Sequence, residues 1–417
     1  MSRIWLVALF FLNACSATYE KTALKSWDLM RSGKSDEALE LYKEKVTRSQ
    51  DKLLRLMDEG ILLRNSGRFA ESNQKFFAAA KIIEMNGYVN LMEEATTLLT
   101  NERMTTYQGE DFEKVIVHLY LGLNFLAMGS EEAALVETRK VNEIIEVMMS
   151  NGRKAYEFNA FARYVGAILF ENAGDLNDAL VAYRNTLKLD PNLEQSFFPV
   201  KVDMLRMAYR LGMDQEAAEW KKKFGAEADA QAVAANQNKL GSIAVLYEAG
   251  KSPLKISSKV RRQAKGREGN IIDVAIPVSH YERRISRAAP LKIKVSNTSV
   301  HSTVLNDLET TAIRQLKDRM GRVIAKAIAT AAVKAGVGVA AGKATNSKEI
   351  GALTALALIL LSEADTRSWL LLPANYQVAR IYLPAGDYNL EFDPASAPLK
   401  VSVKPSKTTF VQRRSLD

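Results

Sequence analysis

Five glycines set the frame of the first half of this chain. Gly33, Gly67, Gly129, Gly174 and Gly212 each stand between two stretches with apolar residues at spacings of three and four, the spacing of one helix face. Glycine takes left-handed backbone angles without steric penalty, so each position reads as a turn between two helices. Gly33 and Gly67 are 34 residues apart. Five residues beyond Gly33, Gly129, Gly174 and Gly212 lie Ala38, Ala134, Ala179 and Ala217. Small residues there let two helices close on each other. Nine residues beyond Gly33, Gly67 and Gly174 lie Tyr42, Phe76 and Tyr183, bulky enough to fill the space between helices. Gly60 and Gly122 each stand seven before a turn glycine, and Phe125 and Phe170 four before one. A chain patterned in this way must stack, because one helix pair cannot bury its apolar face alone.

The clearest unit runs from Arg163 to Asn192. Leu176, Ala179, Leu180, Tyr183 and Leu187 stripe its second helix, and Asp190-Pro191 ends it, since the residue before proline is pushed out of helical angles. This unit, and the register of the five glycines, resembles the tetratricopeptide (TPR) repeat. The resemblance implies an α-solenoid over residues 15–226 with a concave groove that binds an envelope protein. Polar residues of first helices, Asn124, Arg163 and Arg206, are groove candidates. The later turn spacings of 62, 45 and 38 residues make the array irregular.

The N-terminus carries an address. Arg3 precedes an apolar run, Ile4 to Leu12, too short to span a bilayer, which needs about 20 residues. Leu12-Asn13-Ala14-Cys15 follows, and Cys15 is the one cysteine of the 417 residues. This resembles the lipobox of bacterial lipoproteins. The resemblance implies a signal peptide over residues 1–14, cleavage before Cys15, and a diacylglycerol on its thiol with a further acyl chain, such as palmitate, on its amino group. Two or three chains anchor stably where one does not. Ser16, not an acidic residue, follows the cysteine, which implies the outer membrane and a periplasm-facing anchor. A lone cysteine leaves no disulfide to stabilise the fold.

Residues 227–240 read as a trailing helix and linker. Beyond them the period changes. Ser242 to Tyr247, Ile271 to Val278, Leu291 to Val295, Tyr376 to Leu383, Tyr388 to Phe392, Leu399 to Val403 and Thr408 to Val411 are short β-type runs. They predict a small antiparallel β-sandwich over residues 241–417. LPAGDYNLEF resembles a hairpin of carboxypeptidase-regulatory-like and PEGA-type domains. A helical hairpin insertion is expected at about 304–361, capped by Asn306 with Glu309. Its small apolar stretches are too short and too interrupted by lysine to span a membrane, so it is expected to pack on the sandwich. The fold class is therefore multidomain α plus β. Asp365, Arg367 and Trp369 read as an ion pair and a buried ring that lock the insertion to the sandwich.

With 47% hydrophobic and 25% charged residues the chain has a globular composition. A net charge of +9 permits anionic surfaces without requiring nucleic acid. Lys251, Lys255, Lys259, Arg261, Arg262, Lys265 and Arg267 fall in one stretch with no acidic residue. With Pro253 and three serines it reads as a basic loop that could contact phosphates or an acidic partner. No aromatic residue is interleaved, which argues against a single-stranded nucleic-acid platform. Gly342-Lys343 lacks both the earlier P-loop glycine, replaced by Val337, and the hydroxyl after the lysine, replaced by Ala344. His118, His280 and His301 lack the spaced companions of a metal site. No catalytic residue, metal or cofactor is expected.

The lipobox, the TPR-like half, SIAVLYEAGKSPLK at 242–255, Asp365-x-Arg367-x-Trp369 and Leu383-Pro384-x-Gly386-x-Tyr388 together resemble an uncharacterised family of bacterial TPR-containing envelope lipoproteins. The family transfers no catalytic residue. The expected role is a membrane-anchored, non-enzymatic interaction scaffold. The alternatives are a cell-wall-associated enzyme, a regulator of peptidoglycan synthesis, or a binder of anionic envelope polymers.

Overall fold

The computed structural model describes residues 16–87, 105–152, 159–265, 271–286, 289–321, 324–325, 343–345, 347, 364–393 and 397–416. Helices fill the first half: α1 (Ser16–Arg31), α2 (Ser35–Lys45), α3 (Lys52–Asn65), α4 (Phe69–Asn86), α5 (Asp111–Ala127), α6 (Glu131–Ser150), α7 (Ala160–Ala173), α8 (Leu176–Leu189), the single-turn α9 (Leu193–Ser196), α10 (Phe198–Arg210), α11 (Asp214–Phe224) and α12 (Ala226–Gln237).

Five turns repeat one geometry. Gly33, Gly67, Gly129, Gly174 and Gly212 have φ of 74°, 73°, 74°, 90° and 66°. The residue after each glycine donates its N–H to a carbonyl five positions back: Lys34 to Leu29, Arg68 to Leu63, Ser130 to Phe125, Asp175 to Phe170 and Met213 to Ala208, at 2.8–2.9 Å. That bond closes a Schellman motif and satisfies a carbonyl the helix end leaves open. A Cβ at any of the five glycines would meet nothing within 4 Å, so the torsion, not crowding, requires glycine. Gly60 is the opposite case: a Cβ there would lie 2.7 Å from the Phe76 ring, which seals α3 against α4. Ala38, Ala134, Ala179, Tyr42, Phe76 and Tyr183 are wholly buried, at the positions the sequence reserves for close approach and filling.

The trailing helix expected within 227–240 is α12, which takes up most of that stretch and leaves little of it as linker. Its alanine content favours helix. Ala228, Ala232 and Ala235 are buried, and Asn236 donates its side-chain amide to the Arg206 carbonyl of α10 at 3.1 Å.

The second half contains β1 (Gly241–Ala249), β2 (Leu254–Lys265), β3 (Ile271–Glu282), β4 (Lys292–Val295), β5 (Thr298–His301), β6 (Thr303–Asp307), β7 (Asn375–Leu383), β8 (Gly386–Asp393), β9 (Leu399–Val403) and β10 (Thr408–Arg414). Two four-stranded sheets run β10-β1-β7-β6 and β5-β4-β8-β9, and β2 pairs with β3 as a two-stranded ribbon. The strands are not all antiparallel. β10 lies parallel to β1, with Ser242 opposite Thr408 and Glu248 opposite Arg414. The stretch expected as a basic loop is β2, paired from Leu254–Glu282 to Lys265–Ile271. Residues 304–307, assigned to the insertion, belong to strand β6, and the helix starts at 308. Its cap is Asp307, not Asn306: Asp307 accepts the Thr310 N–H at 2.8 Å. Most of the expected helical hairpin lies outside the described residues. Among the described residues no helix is long and apolar enough to cross a membrane.

β1 is buried along its whole length. On one face Ile243, Val245 and Tyr247 meet Ile293 and Val295 of β4, Leu390 and Phe392 of β8, and Val411 of β10 in a core filled from both four-stranded sheets. On the other face Ala244 and Leu246 join Tyr376 and Val378 of β7, Leu305, Leu308 and Trp369–Leu372 in the same core as the helical array. The sheet is therefore the lid of the array. Trp369 packs 6.0 Å from Phe76 and 5.8 Å from Tyr120, ring centre to ring centre.

Candidate functional site: the seam between array and sheet

The polar inner face of the array is where the repeat pattern places a ligand. In the structure that face holds the chain's own sheet. Arg380 of β7 is its central contact. Its guanidinium reaches Glu171 of α7 at 2.9 Å, Asp203 of α10 at 2.8 Å, and the hydroxyls of Tyr183, Thr408 and Ser242 at 2.7, 3.0 and 3.2 Å. Arg206 of α10 completes the square at 2.7 Å from Glu171. Tyr164 and Tyr382 both donate to Asp203. Burial alone would raise the pKa of Glu171, but Arg380 and Arg206 outweigh it and hold the carboxyl well below its usual range. Two guanidiniums thus face two carboxylates in a dry interface, where a pair is sustained only if its remaining hydrogen bonds are filled.

A second junction lies near the C-terminus. Glu248 of β1 accepts the Tyr120 hydroxyl at 2.7 Å and pairs with Arg64 at 3.3 Å and Arg414 at 3.5 Å. Arg64 also donates to Asn124 at 2.6 Å and to Gln412 of β10. Gln412 in turn donates to the Leu123 carbonyl at 2.8 Å. A third junction holds the segment that returns to β7. Arg367 pairs with Asp365 at 2.7 Å, as its spacing predicts, and also with Asp51 at 3.0 Å. Arg367 and Trp369 therefore fasten this segment to the array through Asp51, Phe76 and Tyr120, and not to the sandwich as expected.

Two carboxyls at this end are buried with no cationic partner on their hydrogen-bonding atoms. Asp58 accepts the Tyr19 and Tyr42 hydroxyls at 2.9 and 2.8 Å. Glu113 accepts the Trp369 N–H and the Tyr107 hydroxyl, each at 2.7 Å. Burial pushes both up to about 7. A carboxyl whose pKa is raised by folding favours the folded state while protonated in both states. That contribution is intact below its ordinary value and is lost as pH rises through the folded one. Asp58 and Glu113 should therefore stabilise the fold less as pH climbs from their ordinary 3.8 and 4.5 to about 7. Thermal midpoints of the wild type and Asp58→Asn across that window check this. The variant should show the shallower decline, and parallel curves would place the titration elsewhere.

The remaining sequence candidates divide clearly. Asn124 and Arg206 line the seam. Arg163 does not; it pairs with Asn142 at 2.5 Å and Glu146 at 3.0 Å on α6. Lys255 is not an anion contact: it is buried, and its ammonium sits 2.8 Å from Glu110, which Arg319 also engages at 2.6 Å. Lys251 is half-buried 5.9 Å over the Trp27 ring, and Lys259 and Arg261 are, respectively, exposed and exposed on β2. Arg262 and Lys265 belong to β2 by backbone, and the Arg267 position lies outside the described residues, as does Cys15. His118 is buried with Nδ1 2.7 Å from Glu137, consistent with packing between α5 and α6. Among the described residues no group of three or more His, Cys, Asp or Glu is arranged to hold a metal ion. Arg380 escaped the sequence reading. Its signal was a charge inside the otherwise β-type run Tyr376–Leu383, facing acidic residues that sit mid-helix at Glu171 and Asp203.

No family model matches the chain, and no curated protein matches it. Solved structures do. A MamA fragment from Desulfovibrio magneticus RS-1 aligns at 18% identity over 51% of this chain and 95% of its own length, with a TM-score of 0.33. TPR-like repeats of a Podosopora anserina kinesin light chain align at 14% identity over 52% of this chain and 96% of theirs, with a TM-score of 0.34. Scores of that size carry no argument about this chain. The repeat assignment rests on the five matching turns and their buried alanine and aromatic positions.

Proposed function

We propose that this chain is a lipid-anchored protein of the bacterial envelope that acts by binding another protein and not by catalysis. The observation that carries the reading is the sealed seam. A stacked helical array closed by its own sheet, through buried ion pairs at several junctions, is a rigid body suited to presenting a surface. The paired charges at these junctions are spent on one another, and Asp58 and Glu113 are held by hydroxyls and a backbone N–H. The stretch of inner face lined by Asn124 and Arg206 holds β7 and β10, so a partner docks elsewhere on the body. Ser16, the residue after Cys15, already lies in helix α1, which supports a short tether that holds the body close to its membrane. Tethering raises the effective concentration of a weak partner at that surface. The outer membrane, facing the periplasm, is the proposed site.

Cys15→Ala tests the anchor. The variant should lose metabolic palmitate labelling and accumulate as a longer, uncleaved precursor. Labelling that persists in the variant would remove the lipoprotein assignment.

A further inference from the structure

We propose that the free edge of β10 is a docking site for an extended, acidic-flanked peptide segment of a partner protein, which adds a strand to the sheet. The proposal deepens the binding role above by naming the surface and the chemistry of its occupant.

Among the described residues β10 pairs on one side only, with β1. In that parallel ladder Ser242 donates to the Lys407 carbonyl and Ser415 donates to the Glu248 carbonyl. The backbone groups of 407, 409, 411 and 413 therefore point to β1, and those of Thr408, Phe410, Gln412 and Arg414 point to the free edge. The edge is closed at Thr408. There the Asn172 side chain accepts the backbone N–H at 2.8 Å and donates to the carbonyl at 3.0 Å, as a neighbouring strand would. Among the described residues no group caps Phe410, Gln412 or Arg414 in that way. An unpaired edge of this kind is a ready template for another chain.

There is room beside it. A hollow of about 400 Å³ is bordered by Phe69, Leu126 and Ala127 of the array and by Phe410, Gln412 and Arg413 of the strand. A second, of about 310 Å³, shares Leu126 and Phe410 and reaches Lys404 and Lys407. Phe410 and Gln412 face the array, whereas Arg413 faces the other sheet, 4.3 Å over the Phe392 ring. Because side chains of both faces border the first hollow, it lies along the edge and not beneath one face. Its middle is apolar and its ends are basic. Of the nearby carboxylates, Glu248 is engaged by Tyr120, Arg64 and Arg414; the exposed Glu131 accepts from the neutral Asn172 amide at 3.3 Å and keeps its charge, against Lys404 and Lys407 beside it. The matching occupant has an apolar side chain over Phe410 and Leu126, with carboxylates toward Lys404 and Arg413.

The described residues that flank the two long undescribed stretches lie away from the hollow. Residues 88–104 connect the C-terminal end of α4 to the N-terminal end of α5, whereas the hollow adjoins the N-terminal Phe69 of α4 and the C-terminal Leu126 of α5. The 18 residues of α4 separate those ends by roughly 27 Å. The stretch after 321 leaves near Arg319, which pairs with Glu110 at the same remote end, and returns near Asp365 and Asp51.

The test uses the purified full chain in detergent micelles and an array of hexapeptides with alternating apolar residues. One set carries glutamate at both ends, a second carries lysine, and a third repeats the first with alternate amides N-methylated. The glutamate set should be retained about tenfold or more better than the other two, since each lost backbone bond costs roughly 1 kcal/mol. A retained peptide should slow hydrogen exchange at Phe410, Gln412 and Arg414 more than at the residues between them. Gln412→Pro removes an N–H aimed at the edge together with the side-chain contacts to Arg64 and the Leu123 carbonyl, so it should abolish retention and lower the thermal midpoint; the N-methylated set, which leaves the chain unaltered, decides whether the edge amides carry the binding. Failure of every glutamate peptide, equal retention of the lysine or N-methylated sets, or protection elsewhere would overturn the proposal. So would a dimer in which β10 pairs with a second copy. The assay needs no membrane, so a failed palmitate test leaves its result standing.

Discussion

Arg380→Ala is expected to lower the unfolding free energy by about 3–5 kcal/mol, the range seen when one partner of a buried ion pair is removed. The cost comes from what remains. Glu171 and Asp203 stay buried, and the Tyr183, Thr408 and Ser242 hydroxyls lose a donor. Arg206 still faces Glu171 at 2.7 Å, so the array side keeps part of its balance, whereas the sheet side loses its main grip. Against a total stability of about 5–15 kcal/mol, this is enough to populate partly opened molecules. Denaturant unfolding at neutral pH measures the change. Arg380→Lys should fall between, because a point charge cannot reach the two carboxylates and three hydroxyls as a planar fork does. A loss below about 1 kcal/mol for the alanine variant would mean that apolar packing alone holds the seam.

The parts of this architecture written in local pattern could be read from the sequence. Gly174 needs its positive φ whatever the rest of the chain does, so a glycine between two apolar stripes identifies the turn. Ala179 and Tyr183 follow at fixed distances from that turn and fill the same helix pair. The parts that depend on distant residues left no local mark. β1 pairs with β10 across more than 160 positions, as Ser242 opposite Thr408 shows, and no spacing rule links them. Asn124 and Arg206 were legible as inward-facing polar residues, but Gln412 and Tyr382, which meet their side of the seam, were not. The groove was therefore assigned to a partner when its occupant was further along the same chain. The basic stretch misled for another reason. Lys255, Lys259 and Arg261 alternate with Ile256 and Val260 as a strand would, but Pro253 and the serines gave it the composition of a loop. The trailing helix at 226–237 was legible in its alanine and glutamine, which are good helix formers, but its hold on the Arg206 carbonyl through Asn236 was not.

A charge-locked seam and a shared core make one claim: array and sheet fold as one unit. Leu370, Leu371, Leu372, Val378, Leu246, Leu305 and Leu308 lie outside the helical array and are buried in its core. At roughly 1.5–3 kcal/mol for each such side chain, the seven contribute at most about 10–20 kcal/mol. That is as large as the whole stability of a typical domain. The direct measurement is the unfolding of residues 16–237 alone, followed by circular dichroism and hydrogen exchange. The isolated array should keep helical signal but lose a cooperative transition, bind hydrophobic dye, and exchange rapidly at α5, α7 and α10. Co-expression with residues 238–417 should restore both cooperativity and protection. A cooperative transition of the array by itself, with its inner-face amides protected as in the full chain, would contradict the account.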